Sequence, residues 1–156
     1  MEKKLPEMDW TNVAEIEIVY RTKVKPSERP KIERSSDIYP LLLSKWNMDL
    51  IELQEEFMVL YLNRANKVLG IYHASAGGLT GTVADPKLIL GVALKCGAVN
   101  IILSHNHPSG CLKPSRADEQ LTQKIKQAAL YHDIGLLDHI IVTSEGYYSF
   151  ADEGLL

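Results

Sequence analysis

The feature that most constrains this chain is an apolar run at residues 101–103 that stops at two histidines one residue apart, His105 and His107. Alternate side chains of an extended segment point the same way, so the two imidazoles share a face and Asn106 points to the other. After a turn-rich loop, Asp118 stands at a predicted helix start. Two imidazoles and one carboxylate make three metal ligands, the number expected at a catalytic zinc site whose fourth position is left for water.

Size and composition predict one domain around this feature. The chain has 156 residues, 46% of them apolar and 24% charged, as is ordinary for a globular protein. Its apolar runs are too short to span a bilayer, which predicts no membrane association. The thiols Cys96 and Cys111, with no apolar stretch after the first residues, predict a reducing, cytoplasmic location.

The charge pattern bears on whether the chain binds nucleic acid. A net charge of -3 gives no general attraction to phosphate. Residues 21–34 nevertheless form a local basic cluster, which fits either a solvated connector or a phosphate-contacting patch: Arg21, Lys23, Lys25, Arg29, Lys31 and Arg34. Pro26 and Pro30 favour an extended connector. We therefore divide the chain into residues 1–35, a strand with a basic connector that is part of the domain or appended to it, and a main domain at 36–156.

Periodicity predicts an alternation of strands and helices. The helices are expected at 37–47, with Pro40 in the first turn, at 85–96, and from Ser115 onward. The strands are expected at 13–20, 57–62, 68–73, 82–83, 99–103, 138–142 and 147–150, of which 57–62 is apolar enough to be central and covered on both faces. The elements predict an α/β (α+β) fold, a single mixed β-sheet packed by helices.

Attack of a metal-activated water on a carbonyl needs a proton acceptor that is not itself a metal ligand and that later donates to the leaving group. Three carboxylates just before the strand at 57–62 are candidates: Glu52, Glu55 and Glu56. Ser115 is an N-cap by its Ser-Arg-Ala-Asp spacing, and its hydroxyl is also a candidate oxyanion donor. A carboxylate and a hydroxyl beside a metal therefore point to hydrolysis.

Two further residues carry open alternatives. Cys111 in the loop is either a plain loop cysteine or a thiolate that competes for the metal. His139 is either a satisfied sheet histidine or a hydrogen-bond partner of a metal ligand.

The spacing His105-x-His107, with Ser115 and Asp118 eight and eleven positions beyond His107, resembles the JAMM (MPN/JAB) metalloprotease motif. Longer strings resemble the RadC-like family within it: Ser-His-Asn-His-Pro-Ser-Gly at 104–110, Phe-Met-Val-Leu-Tyr-Leu-Asn at 57–63, Gly-Thr-Val at 81–83 and Leu-Asp-His-Ile-Ile-Val at 137–142. The resemblance covers about residues 36–150 and implies the JAB/MPN (cytidine-deaminase-like) architecture.

The resemblance also implies a function. It implies Zn2+ on His105, His107 and Asp118, with Glu55 as the general acid and base and Ser115 assisting the oxyanion. Glu56 faces the other side of an extended strand, so only one of the two glutamates can reach the metal water. The implied activity is zinc-dependent hydrolysis of amide or isopeptide bonds in a protein or peptide substrate.

Two other functions remain open at this point. The family's association with DNA repair, together with the basic cluster at 21–34, suggests a nucleic-acid accessory protein without peptidase activity. Relatives often carry an amino-terminal helix-hairpin-helix module, which residues 1–35 are too short to form, and this weakens the repair association. The third reading is a metal-holding scaffold that has lost hydrolysis. The sequence leaves the substrate and the oligomeric state open.

Overall fold

The fold is known from a computed structural model, which describes residues 11, 13–15, 17, 19–77 and 84–156. A short 3-10 helix at Pro26–Glu28 precedes the regular elements. In chain order these are α1 (Ser35–Leu43), β1 (Glu56–Leu62), β2 (Val68–Ala76), α2 (Pro86–Cys96), β3 (Asn100–Asn106), α3 (Arg116–Leu130), β4 (Gly135–Val142) and β5 (Tyr147–Ser149).

The five strands form one mixed sheet in the order β2-β1-β3-β4-β5. β1 runs antiparallel to both β2 and β3, β3 and β4 are parallel, and β5 returns antiparallel to β4. This confirms the predicted α/β fold with a single mixed sheet packed by helices. Among the described residues, no helix is long and apolar enough to cross a membrane.

The sheet is covered on both faces because β1 and β3 carry apolar side chains at nearly every position. Phe57, Val59 and Tyr61 point to the face covered by α2 and α3. The alternate residues of β1 point to the face covered by α1: Met58, Leu60 and Leu62. All six are at most 2% exposed, which confirms that this strand is central and covered on both faces.

The predicted strand at 13–20 does not form among the residues described there, which are 13–15, 17, 19 and 20. Val13 is 76% exposed, and Val19 is exposed as well. The alternating pattern meets no neighbouring strand that would bury it, so the strand prediction is wrong over these residues. The predicted strand at 82–83 lies outside the described residues, and the division at residue 35 stays a prediction.

Helix α1 begins two residues before the predicted start and ends four residues before the predicted end. Its Asp37 carboxylate accepts hydrogen bonds from the main-chain N–H groups of Glu33 and Arg34 at 3.0 and 3.1 Å, so Asp37 caps the helix from its third position. Pro40 therefore lies inside the helix, not in its first turn. Pro40 and Ser36 are both exposed, and the helical hydrogen bond that proline removes is one that water can replace.

The helix starts that frame the site agree with their sequence signals. Asp85 caps α2 by accepting from the Lys87 N–H at 2.9 Å, and Gly97 ends it in the left-handed conformation with φ 67°. Ser115 caps α3. β3 extends beyond the apolar run through His105 to Asn106, so the first histidine lies within the strand and not after it.

Asn106, fully buried at the end of β3, holds the segment that leads into β1. Its amide nitrogen donates to the main-chain carbonyls of Ile51 and Gln54 at 2.7 and 2.8 Å, and its oxygen accepts from the Glu56 N–H at 2.7 Å. These three bonds fix the chain on either side of Glu55. An amide side chain is suited to this position because it both donates and accepts.

We predict that Asn106→Leu lowers the free energy of unfolding by about 2–4 kcal/mol, because it leaves one buried and two partly buried main-chain groups without their partner. Chemical denaturation measures the change. Asn47→Leu, at an exposed position, is the matched control and is expected to change stability by at most about 0.5 kcal/mol. Equal stabilities of the two variants would contradict the anchoring role.

Candidate metal centre

The structure brings His105, His107 and Asp118 together at the edge of the sheet where β3 and β4 end. The two histidine Nε2 atoms are 3.0 Å apart. Asp118 Oδ1 lies 3.3 Å from His105 Nε2, and Asp118 Oδ2 lies 3.5 Å from His107 Nε2. One atom of each side chain can therefore face a common point, and the group can hold a metal ion.

These separations are of the size found between the ligands of a metal ion. With metal–ligand bonds of about 2.0–2.2 Å, the ligand atoms of a tetrahedron lie roughly 3.3–3.6 Å apart. The distances of 3.3 and 3.5 Å join the two histidines to different oxygens of Asp118, and the nitrogen–nitrogen distance of 3.0 Å is shorter. The side chains are 2%, 16% and 17% exposed, so the group is sheltered but reachable from solvent.

The loop after β3 fixes the orientation of His107. Its main-chain N–H donates to Val142 O at the end of β4, at 3.0 Å. Its Nδ1 lies 2.6 Å from the main-chain oxygen of Cys111, which can only accept, so Nδ1 carries a proton and a neutral ring presents a bare Nε2. Gly110, with φ 78°, makes the tight turn between them. Cys111 thus contributes its carbonyl, and its thiol is not among the described groups that can hold the metal.

The electrostatics of the site favour a cation. Burial alone raises the pKa of the Asp118 carboxyl, but the close side chains of His105, His107 and Ser115 outweigh burial and hold this pKa well below its usual range. In turn the Asp118 carboxylate raises the pKa of His107, against burial, which lowers it. A carboxylate that stays ionised beside two imidazoles attracts a positive charge, either a proton on His107 or a metal ion.

Ser115 acts on Asp118 through the start of α3. The Ser115 N–H and hydroxyl both donate to Asp118 Oδ2 at 2.7 Å, and the Asp118 N–H donates back to the hydroxyl at 3.1 Å. This capping box confirms the predicted N-cap. The hydroxyl proton is committed to the carboxylate here, and an oxyanion role for Ser115 stays a prediction.

Of the three candidate carboxylates, Glu55 is the one whose charge acts on His107. Phe57 pairs with His105 across the β1–β3 ladder, so the two share a face, and alternation puts Glu55 on that face and Glu56 on the other. The charge of Glu55 is close enough to raise the pKa of His107. Glu52 instead accepts from the Ser144 hydroxyl at 2.6 Å.

His139, which the sequence left between two alternatives, and Thr122, which it did not single out, are hydrogen-bond partners at the site. His139 Nε2 lies 2.8 Å from His105 Nδ1, and its Nδ1 lies 2.6 Å from the Thr122 hydroxyl. His139 therefore contacts a predicted ligand directly. The sequence held one signal for Thr122, its position four residues after Asp118 on the same face of α3.

Comparison with known proteins agrees with this geometry. A family model described as the RadC-like JAB domain matches residues 32–155. The chain belongs to this family. A UPF0758 protein of Flavobacterium johnsoniae is 52% identical to the RadC-like chain over 101 residues, which cover 65% of this chain and 44% of that protein.

Two other relatives extend the comparison. The UPF0758 protein YfjY of Escherichia coli is 44% identical over 103 residues, which cover 66% of this chain and 64% of the relative. A UPF0758 protein of Chlorobaculum parvum is 32% identical over 158 aligned positions, covering 99% of this chain and 70% of the relative. The RadC-like chain spans about half the length of several curated relatives that it matches.

We predict that the protein purified without chelator holds about one divalent metal ion per chain, and that His107→Ala removes it. Elemental analysis of the purified protein measures the metal. His132→Ala is the control, because this histidine is exposed and lies outside the group. Metal content that is absent from the parent, or unchanged in His107→Ala, would contradict the site.

Proposed function

We propose that this RadC-like domain is a zinc-dependent hydrolase of amide bonds, of the metallopeptidase or isopeptidase type. One observation carries the proposal: one ligand atom each of His105, His107 and Asp118 lies within 4.8 Å of the others, at a place where the charge of Glu55 acts on His107. Three nitrogen and oxygen ligands from the protein leave one position open, as in catalytic zinc sites. Membership of the JAB domain family supports the same reaction class.

Each side chain has a defined task in the proposed reaction. A zinc ion held by His105, His107 and Asp118 would supply a Lewis acid and a bound water with a pKa of about 7. The Glu55 carboxylate takes a proton from the attacking water and returns it to the leaving nitrogen. Ser115 holds Asp118 Oδ2 in place, which keeps Oδ1 directed at His105. Cys111 holds His107 through its carbonyl.

An open cleft beside His107 gives a protein or peptide substrate access to the site. The cleft has a volume of about 260 Å³ and lies between the loop at 107–110 and the turn at 143–145. Hydroxyl and carboxylate groups line it, so an extended peptide can place its polar main chain there. We propose that the substrate approaches through this cleft.

We predict that Glu55→Gln keeps the zinc content but lowers the cleavage rate by about 100-fold or more, because the amide cannot accept the proton. An unbiased peptide library identifies a cleaved sequence, and the cleavage rate of that peptide is then measured for each variant. Glu56→Gln is the matched control and is expected to keep the parent rate. Full activity of Glu55→Gln would show that another group is the base.

Within the described residues, two cations of the basic cluster are paired with carboxylates. Lys31 is paired with Glu33 at 2.6 Å, and Arg34 lies 3.5 Å from Asp37, so part of the basic cluster is neutralised locally. We therefore expect little binding to duplex DNA at about 0.15 M salt. A salt titration monitored by fluorescence anisotropy tests this. Tight binding that Arg29→Ala abolishes would favour the accessory role instead.

A further inference from the structure

A buried chain of hydrogen bonds joins Asp118 to His105 by a second route, through Thr122 and His139. The Thr122 hydroxyl donates to the Asp118 main-chain oxygen at 2.6 Å and lies 2.6 Å from His139 Nδ1. His139 Nε2 then lies 2.8 Å from His105 Nδ1. Thr122 and His139 are fully buried and His105 is 1% exposed, so water does not compete for these bonds.

The hydrogen bonds of this series can have only one direction from donor to acceptor. A main-chain carbonyl only accepts, so the single hydroxyl proton of Thr122 points to Asp118. The Thr122 oxygen must therefore accept from His139 Nδ1. A second proton would place an unpaired charge in a fully buried site, where the ring nitrogens of His139 contact only a hydroxyl and an imidazole, so the ring carries one proton. Its Nε2 consequently accepts from His105 Nδ1.

This direction leaves a bare lone pair on His105 Nε2, the atom that faces His107 and Asp118. The opposite tautomer of His139 would present a proton to His105 Nδ1. His105 would then have to carry its own proton on Nε2, which prevents metal binding there. The tautomer of a residue that is not a ligand thus decides whether a ligand can bind.

We propose that Thr122 and His139 are positioning residues that set the tautomer and ring orientation of His105 for the metal. The inference rests on the proposed zinc site. Phe150 stacks on the His139 ring at 4.6 Å between centroids, and Phe57 meets it edge-on at 5.6 Å. Phenylalanine offers no hydrogen bond to a ring nitrogen, so these contacts hold the His139 ring without changing its proton assignment.

The route also couples two ligands. Thr122 bonds to the main chain of Asp118, whose side chain is itself a proposed ligand. His105 and Asp118 would therefore be linked twice, once through the metal and once through the hydrogen bonds of His139 and Thr122. A shift of α3 relative to β4 would move one ligand and disturb the hydrogen bond of the other. Loss of a hydrogen-bond partner of a metal-binding histidine typically weakens metal affinity by about 10–100-fold.

The first test is zinc affinity, measured by competition with a chelator of known affinity. His139→Phe keeps an aromatic ring between the two phenylalanines but removes the acceptor, and Thr122→Val keeps the shape of threonine without its hydroxyl. We expect each to bind zinc about 10–100-fold more weakly. His139→Gln and Thr122→Ser restore an acceptor and a hydroxyl, and we expect affinities within about threefold of the parent.

The second test reads the protons directly in the zinc-loaded parent protein. Long-range proton–nitrogen correlation spectra are expected to show His105, His107 and His139 all protonated on Nδ1. This measurement does not depend on any variant folding. A His139 that served only for packing would not require its proton to be on Nδ1. His139 protonated on Nε2, or parent-like zinc affinity in both His139→Phe and Thr122→Val, would overturn the inference.

The outcomes separate this inference from the proposed function. If the parent binds zinc but the variants bind it equally well, only the positioning role fails. If the parent binds no zinc, the proposed site and the positioning role fail together. If affinity falls as expected but the Glu55→Gln protein still cleaves peptide, the positioning role stands and the assignment of the base fails.

Discussion

The need to pair buried polar groups at the end of β3 controls much of this structure. Ser104, His105 and Asn106 are each at most 1% exposed, in a sheet covered on both faces. A buried polar group without a partner costs roughly 1–3 kcal/mol, so each side chain is strongly favoured to find one. The partners of His105 and Asn106 lie on β4 and on the segment before β1. Pairing the buried polar side chains of β3 therefore determines which segments lie next to the site.

The alternation of β3 divides these tasks between its two faces. His105 points to the side of α2 and α3, where Asp118 and Thr122 lie close to it and to its partner His139. Asn106 points to the other side and holds the chain on either side of Glu55. One strand end thus places a metal ligand directly and the proposed base indirectly. The two placements depend on each other because adjacent residues of one strand cannot move separately.

The sequence predicted what is encoded locally. The strand at 57–62, the caps of α2 and α3, and the single mixed sheet could be predicted because periodicity and capping residues lie within a few positions. The partnership of His139 with Thr122 could not, since it depends on the register between the parallel strands β3 and β4 and on how α3 packs against them. The strand predicted at 13–20 failed over its described residues for a related reason, because an alternating pattern does not reveal whether a neighbouring strand is there to pair with it.

The residues that begin α3 both stabilise the helix and orient the proposed metal site. Ser115 and Thr122 lie three residues before and four residues after Asp118, and these spacings share one face of a helix. Ser115 holds the Asp118 carboxylate, while Thr122 holds its carbonyl and, through His139, reaches His105. The capping box stabilises the helix in any case. Because its third residue is also a proposed ligand, the interactions that start the helix orient the proposed metal site at the same time.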